Sequence, residues 1–145
     1  MSFGAAASSA RDDRFPRPAA GRPCPCGSGD RFDGCCGPLL AGAATAPTAE
    51  RLMRSRYTAF VTGDDRYLFD TWHPGTRPDS LDLDPAQRWT GLEILATEGG
   101  GEEDARGIVE FRASWSFGRE RGALHERSRF VRRRERWWYL DGAVS

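Results

Sequence analysis

The stretch that decides the fold spans residues 106–117 and reads Arg-Gly-Ile-Val-Glu-Phe-Arg-Ala-Ser-Trp-Ser-Phe. Val109, Phe111 and Trp115 fall on one side of a period of two, and polar residues such as Arg112 fall on the other. Successive side chains of a β-strand point to opposite faces of the sheet. This stretch is therefore predicted to be a strand that buries one face.

Three further segments outside this strand show the same alternation. They cover residues 89–97, 121–132 and 137–141. Gly99-Gly100-Gly101 and short turns separate the four segments. Period-two segments of this length, joined by turn residues, indicate strands that follow one another in an antiparallel meander.

Two helices are predicted before the sheet. Thr48 is placed to cap the first, which is expected to run to Thr62 and to end at Gly63. Asp64 caps a second helix, which His73-Pro74 stops. Helices that precede an antiparallel sheet are typical of an α+β domain in which they cover the concave face. The predicted fold class is therefore α+β, with helices packed on a curved four-stranded antiparallel sheet.

An arginine lies in the apolar stripe of the first helix. Arg56 comes four residues after Leu52 and four before Phe60. Glu126 shares the inward face of the third strand with Phe130. Because a buried charge is costly unless it is paired, the pattern predicts a direct ion pair between Arg56 and Glu126. A structural role for this pair is favoured over the anchoring of a ligand.

All four cysteines of the chain fall within thirteen residues. Cys24 and Cys26 are separated by one residue, and Cys35 and Cys36 are adjacent. A short loop can bring four such sulfurs into a tetrahedron about 2.3 Å from a Zn²⁺ ion. One structural Zn²⁺ per chain is predicted, in preference to iron. A pair of disulfides, which needs an oxidising compartment, and a redox dithiol remain as alternatives.

Length and charge limit the possible functions. The chain has 145 residues, which leaves room for one core-forming domain, and its 21 basic residues balance 21 acidic ones. No overall field therefore attracts nucleic acid, which is an unlikely partner by this criterion. No apolar run reaches the ~20 residues that span a bilayer, and the start of the chain has no secretory signal. A cytoplasmic location without a membrane partner is expected.

The sequence predicts four parts along the chain. Residues 1–22 are rich in Ala, Pro, Arg and Ser and are expected to be an unstructured lead-in. Residues 23–37 form the cysteine knuckle and residues 38–47 a linker. Residues 48–142 form the α+β domain.

The run Cys-Pro-Cys-Gly-Ser-Gly, with a later Cys-Cys, resembles the SEC-C zinc motif, first described at the carboxyl end of the SecA translocase motor. The resemblance covers about a tenth of the chain and implies a structural zinc and a surface that docks a protein partner. The usual motif has several lysines between the thiol pairs. Here residues 30–33 read Asp-Arg-Phe-Asp, so that basic face is missing.

A second resemblance covers residues 23–142 and is carried by five short motifs. They are Leu-Met-Arg-Ser-Arg-Tyr-Thr-Ala-Phe-Val at 52–61, Tyr-Leu at 67–68, Thr-Trp-His-Pro at 71–74, Glu-Arg-Ser-Arg-Phe at 126–130 and Trp-Tyr-Leu-Asp-Gly at 138–142. In this order, behind a SEC-C knuckle, they resemble the uncharacterised bacterial YchJ-type family. The resemblance implies a cone-shaped domain like nuclear transport factor 2, a shape shared by isomerases, dehydratases and many non-enzymatic subunits.

These observations favour a zinc-binding, non-enzymatic binding or adaptor protein, with no catalytic residue assigned. The knuckle would dock a protein partner, and the α+β domain would offer a small-ligand pocket. The candidate pocket or buried polar residues are Arg56, Tyr57, Trp72, His73, Trp115, Glu126 and Phe130.

Two other functions remain open from the sequence. An isomerase- or dehydratase-like enzyme would use His73 or Glu126 as a general base. A weak RNA- or ribosome-associated factor would use the basic run that begins Arg132-Arg133-Arg134.

Overall fold

The structure is a computed structural model that describes residues 13–145. A 3₁₀ turn at Phe32–Gly34 precedes three helices, which are α1 (Cys36–Leu40), α2 (Ala49–Thr62) and α3 (Asp65–Asp70). Four strands follow, which are β1 (Gln87–Gly99), β2 (Arg106–Phe117), β3 (Glu120–Arg133) and β4 (Arg136–Val144). Within these residues no helix is both long enough and apolar enough to cross a membrane.

The four strands form one antiparallel sheet in the order β1-β2-β3-β4, which confirms the predicted meander and the α+β class. In the register of the sheet, Phe111 of β2 lies between Ile94 of β1 and Glu126 of β3. Val109 and Phe111 are buried while Arg112 is exposed. The period of two in the sequence therefore assigned the buried face of β2 correctly.

The caps of α2 and α3 lie where the sequence places them. Thr48 accepts a hydrogen bond from the backbone N–H of Arg51, and Asp64 accepts one from that of Tyr67. Gly63 ends α2 with a φ of 74°, in the left-handed region that glycine enters without a steric penalty. These local signals fix both ends of α2, which contributes residues to the site described below.

Helix α1 was not predicted from the sequence. It begins at Cys36 and ends at Leu40, so it crosses the boundary drawn between the knuckle and the linker. A five-residue helix has little stability of its own. Leu39 is only 5 % exposed and packs in the core, so tertiary burial stabilises this turn of helix.

The amino-terminal lead-in was expected to be unstructured over residues 1–22, and its first twelve residues lie outside the described part of the chain. Phe15 departs from that prediction, because it is buried and its ring lies directly against Gly63. A side chain at Gly63 would collide with this ring. The segment around Phe15 therefore packs on the end of α2.

The knuckle and the α+β domain share one buried cluster. All four cysteines belong to it, together with Leu52, Met53 and Tyr57 of α2 and with Leu39 of α1. Helix α2 thus lies between the knuckle on one side and the sheet on the other.

Candidate metal centre and internal cavity

The four cysteine thiols come together in the fold. Their sulfurs all lie within 4.8 Å of one another, and each residue is buried. The sulfurs of Cys26 and Cys35 are 3.7 Å apart, close to the edge of about 3.8 Å that a tetrahedral four-thiolate zinc site requires. All four thiols are free. The set Cys24, Cys26, Cys35 and Cys36 is therefore able to hold a metal ion.

A tight turn after the first thiol pair shapes this cluster. Gly27 and Gly29 have φ values of 78° and 92°, which favour glycine over residues with a side chain. The backbone N–H of Cys24 donates to the carbonyl of Asp30 at 2.8 Å and closes the loop. The hydroxyl of Ser28 lies 3.2 Å from the sulfur of Cys35. Each member of the Gly-Ser-Gly run thus has a local function.

Two arginines of helix α2 donate hydrogen bonds to the cysteines. Arg51 donates from Nη1 to the sulfur of Cys35 and from Nη2 to its carbonyl, both at 3.2 Å. Arg54 donates from Nη1 to the carbonyl of Cys26 at 2.8 Å. A divalent ion held by four thiolates would carry a net charge of about −2, which Arg51 would partly offset, whereas Arg54 is also paired with Glu50 at 2.9 Å. Neither arginine was predicted as a site residue, although Arg51 and Arg54 are three apart on one face of a predicted helix.

The thiols strongly influence one another's protonation. Hydrogen bonding with Cys24 lowers the pKa of Cys26 and raises the pKa of Cys36. Burial also raises the pKa of Cys36. Four buried thiolates at this spacing repel one another, so a cation between them is what lets all four ionise together.

We expect Arg51→Met to lower the affinity for Zn²⁺ by about 10- to 100-fold, because such hydrogen bonds to ligating atoms typically contribute that much. Competition against a chromophoric chelator, under reducing conditions, measures the change. Arg66→Met is the matched control, since this α3 side chain is 85 % exposed and, among the described residues, pairs only with Asp70. Equal affinities in the two variants would contradict the assigned role of Arg51.

A cavity of about 230 Å³ lies between α2 and the sheet. Aromatic and aliphatic side chains form most of its wall, including Tyr57, Phe60, Trp72 and Trp89. The polar members of the wall are Arg56, Glu126, Ser128 and Tyr139. Helix α2 therefore contacts the thiol cluster with one face and this cavity with another.

Arg56 is the cation of this cavity and is only 4 % exposed. Its Nη1 donates to the carbonyl of Leu68 at 2.8 Å and to the hydroxyl of Thr71 at 2.7 Å. The guanidinium carbon lies 5.1 Å from the ring centre of Trp72 and 4.4 Å from that of Tyr139. Burial lowers the pKa of Arg56 to about 10. The groups in direct contact with this charge are thus neutral.

Glu126 points inward, as predicted, but the direct ion pair with Arg56 is wrong. Its Oε2 accepts hydrogen bonds from Ser128 at 2.6 Å and from Tyr139 at 3.0 Å. Among the described residues, neither carboxylate oxygen is within salt-bridge distance of Arg56. Tyr139 contacts both charges, since its ring faces the guanidinium and its hydroxyl donates to the carboxylate.

Tyr139 and Ser128 were missed as members of the site. Burial raises the pKa of Tyr139, and the charge of Glu126 raises it further, so the phenol remains a neutral hydrogen-bond donor. Ser128 is fully buried on β3, two residues after Glu126. The period of two could have identified Ser128, whereas the contact with Tyr139 depends on the pairing of β3 with β4.

Four of the candidate pocket residues line the cavity, namely Arg56, Tyr57, Trp72 and Glu126. The other three do not. His73 lies outside it, where Nδ1 accepts the backbone N–H of Gly75 at 2.9 Å. Trp115 lies over Gly122 on the neighbouring strand. Phe130 is a core residue, 1 % exposed, and contacts the ring of Tyr139.

Comparisons with known proteins agree with this architecture. The family model described as YchJ, middle NTF2-like domain, matches residues 48–142. A UPF0225 protein of Streptomyces coelicolor is 58 % identical over 120 residues, which are 83 % of this chain and 94 % of that protein. A UPF0225 protein of Chromobacterium violaceum is 48 % identical over 126 residues, with 84 % of this chain and 93 % of that protein covered.

Two solved structures are similar over most of the chain. One is a SEC-C motif containing protein from Rhodopseudomonas palustris, with a TM-score of 0.74 and 39 % identity, covering 84 % of this chain and 98 % of that one. The other is a SEC-C motif containing protein from Psychrobacter arcticus, with a TM-score of 0.70 and 30 % identity, covering 87 % of this chain and 84 % of that one.

Proposed function

Because the chain belongs to the YchJ family, whose middle domain resembles nuclear transport factor 2, we propose that it is a non-enzymatic binding protein that carries one structural Zn²⁺. In this proposal the cysteine knuckle docks a protein partner. The cavity between α2 and the sheet holds a small ligand. The main observation behind this proposal is that α2 contacts the cysteine knuckle and also lines the cavity.

The donor set supports zinc as the ion. Four thiol sulfurs form the cluster, and thiolates are ligands that Zn²⁺ accepts in closed structural sites. Zinc would supply a cross-link between the two thiol pairs without redox chemistry. Cys24, Cys26, Cys35 and Cys36 would be the ligands. Ser28 and Arg51 would orient Cys35 through the hydrogen bonds described above.

The exposed side of the knuckle supports a docking role. Asp30, Arg31 and Asp33 are exposed in the loop between the thiol pairs, while the cysteines beneath them are buried. The loop is fixed from below by the hydrogen bonds of Arg51 and Arg54 to the cysteines. A fixed, charged loop loses little conformational entropy when a partner binds it.

The other functions considered from the sequence receive less support. An isomerase- or dehydratase-like enzyme needs a base in the cavity, and of its two candidates only Glu126 lies there, with Oε2 already bound by Ser128 and Tyr139. For RNA binding, the basic run forms the tip of the β3–β4 hairpin. Within that run the guanidinium of Arg136 lies 4.1 Å from the ring centre of Trp138.

Native mass spectrometry of the protein purified from its own cells tests the proposal. We expect one zinc per chain and a small retained molecule, and we expect Cys26→Ser to lose the metal because a closed thiolate site needs all its ligands. Less than about half a metal ion per chain in freshly reduced protein would contradict the zinc site. A chain that retains no molecule other than the metal would contradict the ligand role of the cavity.

A further inference from the structure

No carboxylate of the described residues lies within salt-bridge distance of Arg56, and Glu126, which lines the same cavity, acts on its charge only at longer range. Both hydrogen bonds of its guanidinium come from Nη1, and both go to neutral oxygens, of Leu68 and Thr71. For Nε and Nη2 no hydrogen bond to a described residue exists. A buried guanidinium without an anion in direct contact is energetically costly.

Trp72 adds a second unsatisfied donor beside this charge. Its Nε1–H is buried and has no acceptor among the described residues, and no other described side-chain atom is in that state. Trp72 lines the same cavity, and the guanidinium carbon of Arg56 lies 5.1 Å from its ring centre. An unpaired buried N–H is costly, so such a group requires an explanation.

A larger cleft of about 690 Å³ lies between α1 with its linker and α3 with β4, but its charged groups already have partners. There Arg66 pairs with Asp70, and Arg136 donates to the carbonyl of Asp70. Arg77 donates to the carbonyl of Phe69 and stacks on its ring. Only the smaller cavity combines an unpaired cation with an unpaired donor among the described residues.

We propose that the cavity binds a small monocarboxylate with an apolar body, whose carboxylate accepts hydrogen bonds from Arg56 and Trp72. This inference rests on the proposed role of the cavity as a ligand site. Arg56 and Trp72 line the same cavity with the guanidinium carbon 5.1 Å from the ring centre of Trp72, and a carboxylate has two oxygens that can accept from two neighbouring donors. Glu126 is the other carboxylate of the cavity wall, and the hydrogen bonds that Ser128 and Tyr139 donate to its Oε2 partly offset its repulsion of a second anion.

The size of the cavity sets the size of the ligand. Its 230 Å³ correspond to about eight water molecules at ~30 Å³ each. Tyr57, Phe60 and Trp89 surround the space and favour a flat, apolar body. Benzoate has this size and charge and is therefore the probe that we choose.

Titration of the full-length, zinc-loaded protein with benzoate, benzamide and benzylamine tests the proposal. These probes have nearly the same shape and differ in charge. We expect benzoate to bind at one site with a dissociation constant of about 1 mM or below, at least tenfold tighter than the other two. Heteronuclear NMR is a suitable readout, because the indole N–H signal of Trp72 should shift when benzoate binds.

Trp72→Phe removes the N–H donor and retains an aromatic ring, so we expect it to weaken benzoate binding at least fivefold. Trp138→Phe is the matched control, since Trp138 lies outside the cavity and its N–H faces the carbonyl of Arg133. It should bind benzoate as the parent does. Arg56→Met should abolish benzoate binding. If the Arg56→Met protein does not fold, Trp72→Phe still tests the inference.

Three outcomes would overturn the inference. Equal affinities for the three probes would show that the cavity takes ligands without using the charge, so the carboxylate class would fail while the ligand role would stand. Equal weakening by Trp72→Phe and Trp138→Phe would place the site elsewhere. No saturation by any probe, together with no retained molecule in native mass spectrometry, would remove both the inference and the proposed ligand role.

Discussion

Removal of zinc from the reduced protein is expected to lower the melting temperature of the whole α+β domain by about 10–15 °C, or roughly 3–5 kcal/mol for a chain of this size. Zinc binding to small thiolate sites contributes about 10–16 kcal/mol, and much of it becomes folding free energy. Only part of this free energy is expected to stabilise the sheet. That part is expected because the cysteines are buried in the same cluster as Leu52, Met53 and Tyr57.

The physical reason lies in the surface that α2 would lose. Arg51 and Arg54 of α2 hydrogen-bond to Cys35 and Cys26, so an unfolded knuckle would leave both arginines without these partners. Leu52 and Met53 belong to the same buried cluster as the cysteines, and this cluster would lose part of its apolar surface. Apolar surface returned to water costs about 25 cal/mol per Å².

Near-ultraviolet circular dichroism during thermal unfolding measures this effect, because the signal of Trp89 and Trp137 reports the sheet rather than the knuckle. The chelated parent and Cys36→Ser should melt at the same lowered temperature, and added zinc should restore only the parent. An unchanged melting temperature of the sheet after complete metal removal would show that the knuckle folds as an independent unit.

Local signals in the sequence were sufficient for most of the fold. Thr48, Gly63 and Asp64 identified the helix ends, because capping depends on one or two residues and their neighbours. The period of two identified β2 and the inward direction of Glu126, because strand faces alternate without regard to the rest of the protein. The spacing of the four cysteines identified the metal cluster, because this spacing is also a local property of the sequence.

Long-range contacts could not be predicted in the same way. Arg56 was assigned to Glu126 because both were expected to be buried, but the sequence did not show that Leu68 and Thr71 offer closer oxygens. Tyr139 reaches the carboxylate through the pairing of β4 with β3, and a bulge at Arg129 and Phe130 shifts that register. The position of the knuckle on α2 likewise depends on tertiary packing.

Arg56→Ala is expected to destabilise the protein by about 3 kcal/mol. The substitution removes a buried side chain. The cavity left by truncating a buried side chain of similar length costs about 2–5 kcal/mol. It also removes two charge-assisted hydrogen bonds, each worth about 1.5–3 kcal/mol, while relieving the cost of a buried charge. Urea unfolding measures the net loss, and a loss below about 1 kcal/mol would show that Arg56 is exposed in solution.

A double-mutant cycle then separates the observed contacts from a direct ion pair. The cycle uses Arg56→Met, which keeps the length of the stem, and Glu126→Gln, which keeps an oxygen to accept from Ser128 and Tyr139. We expect Glu126→Gln to cost less than about 1 kcal/mol and the coupling energy between the two changes to be about 0.5–1 kcal/mol, because the side chains share Tyr139 as a neighbour but make no direct hydrogen bond. A direct buried pair would instead give single losses of about 3–5 kcal/mol and a double mutant less damaged than their sum. That result would mean that the carboxylate is the counter-ion of Arg56 in solution, and it would leave no unpaired charge for a ligand to neutralise.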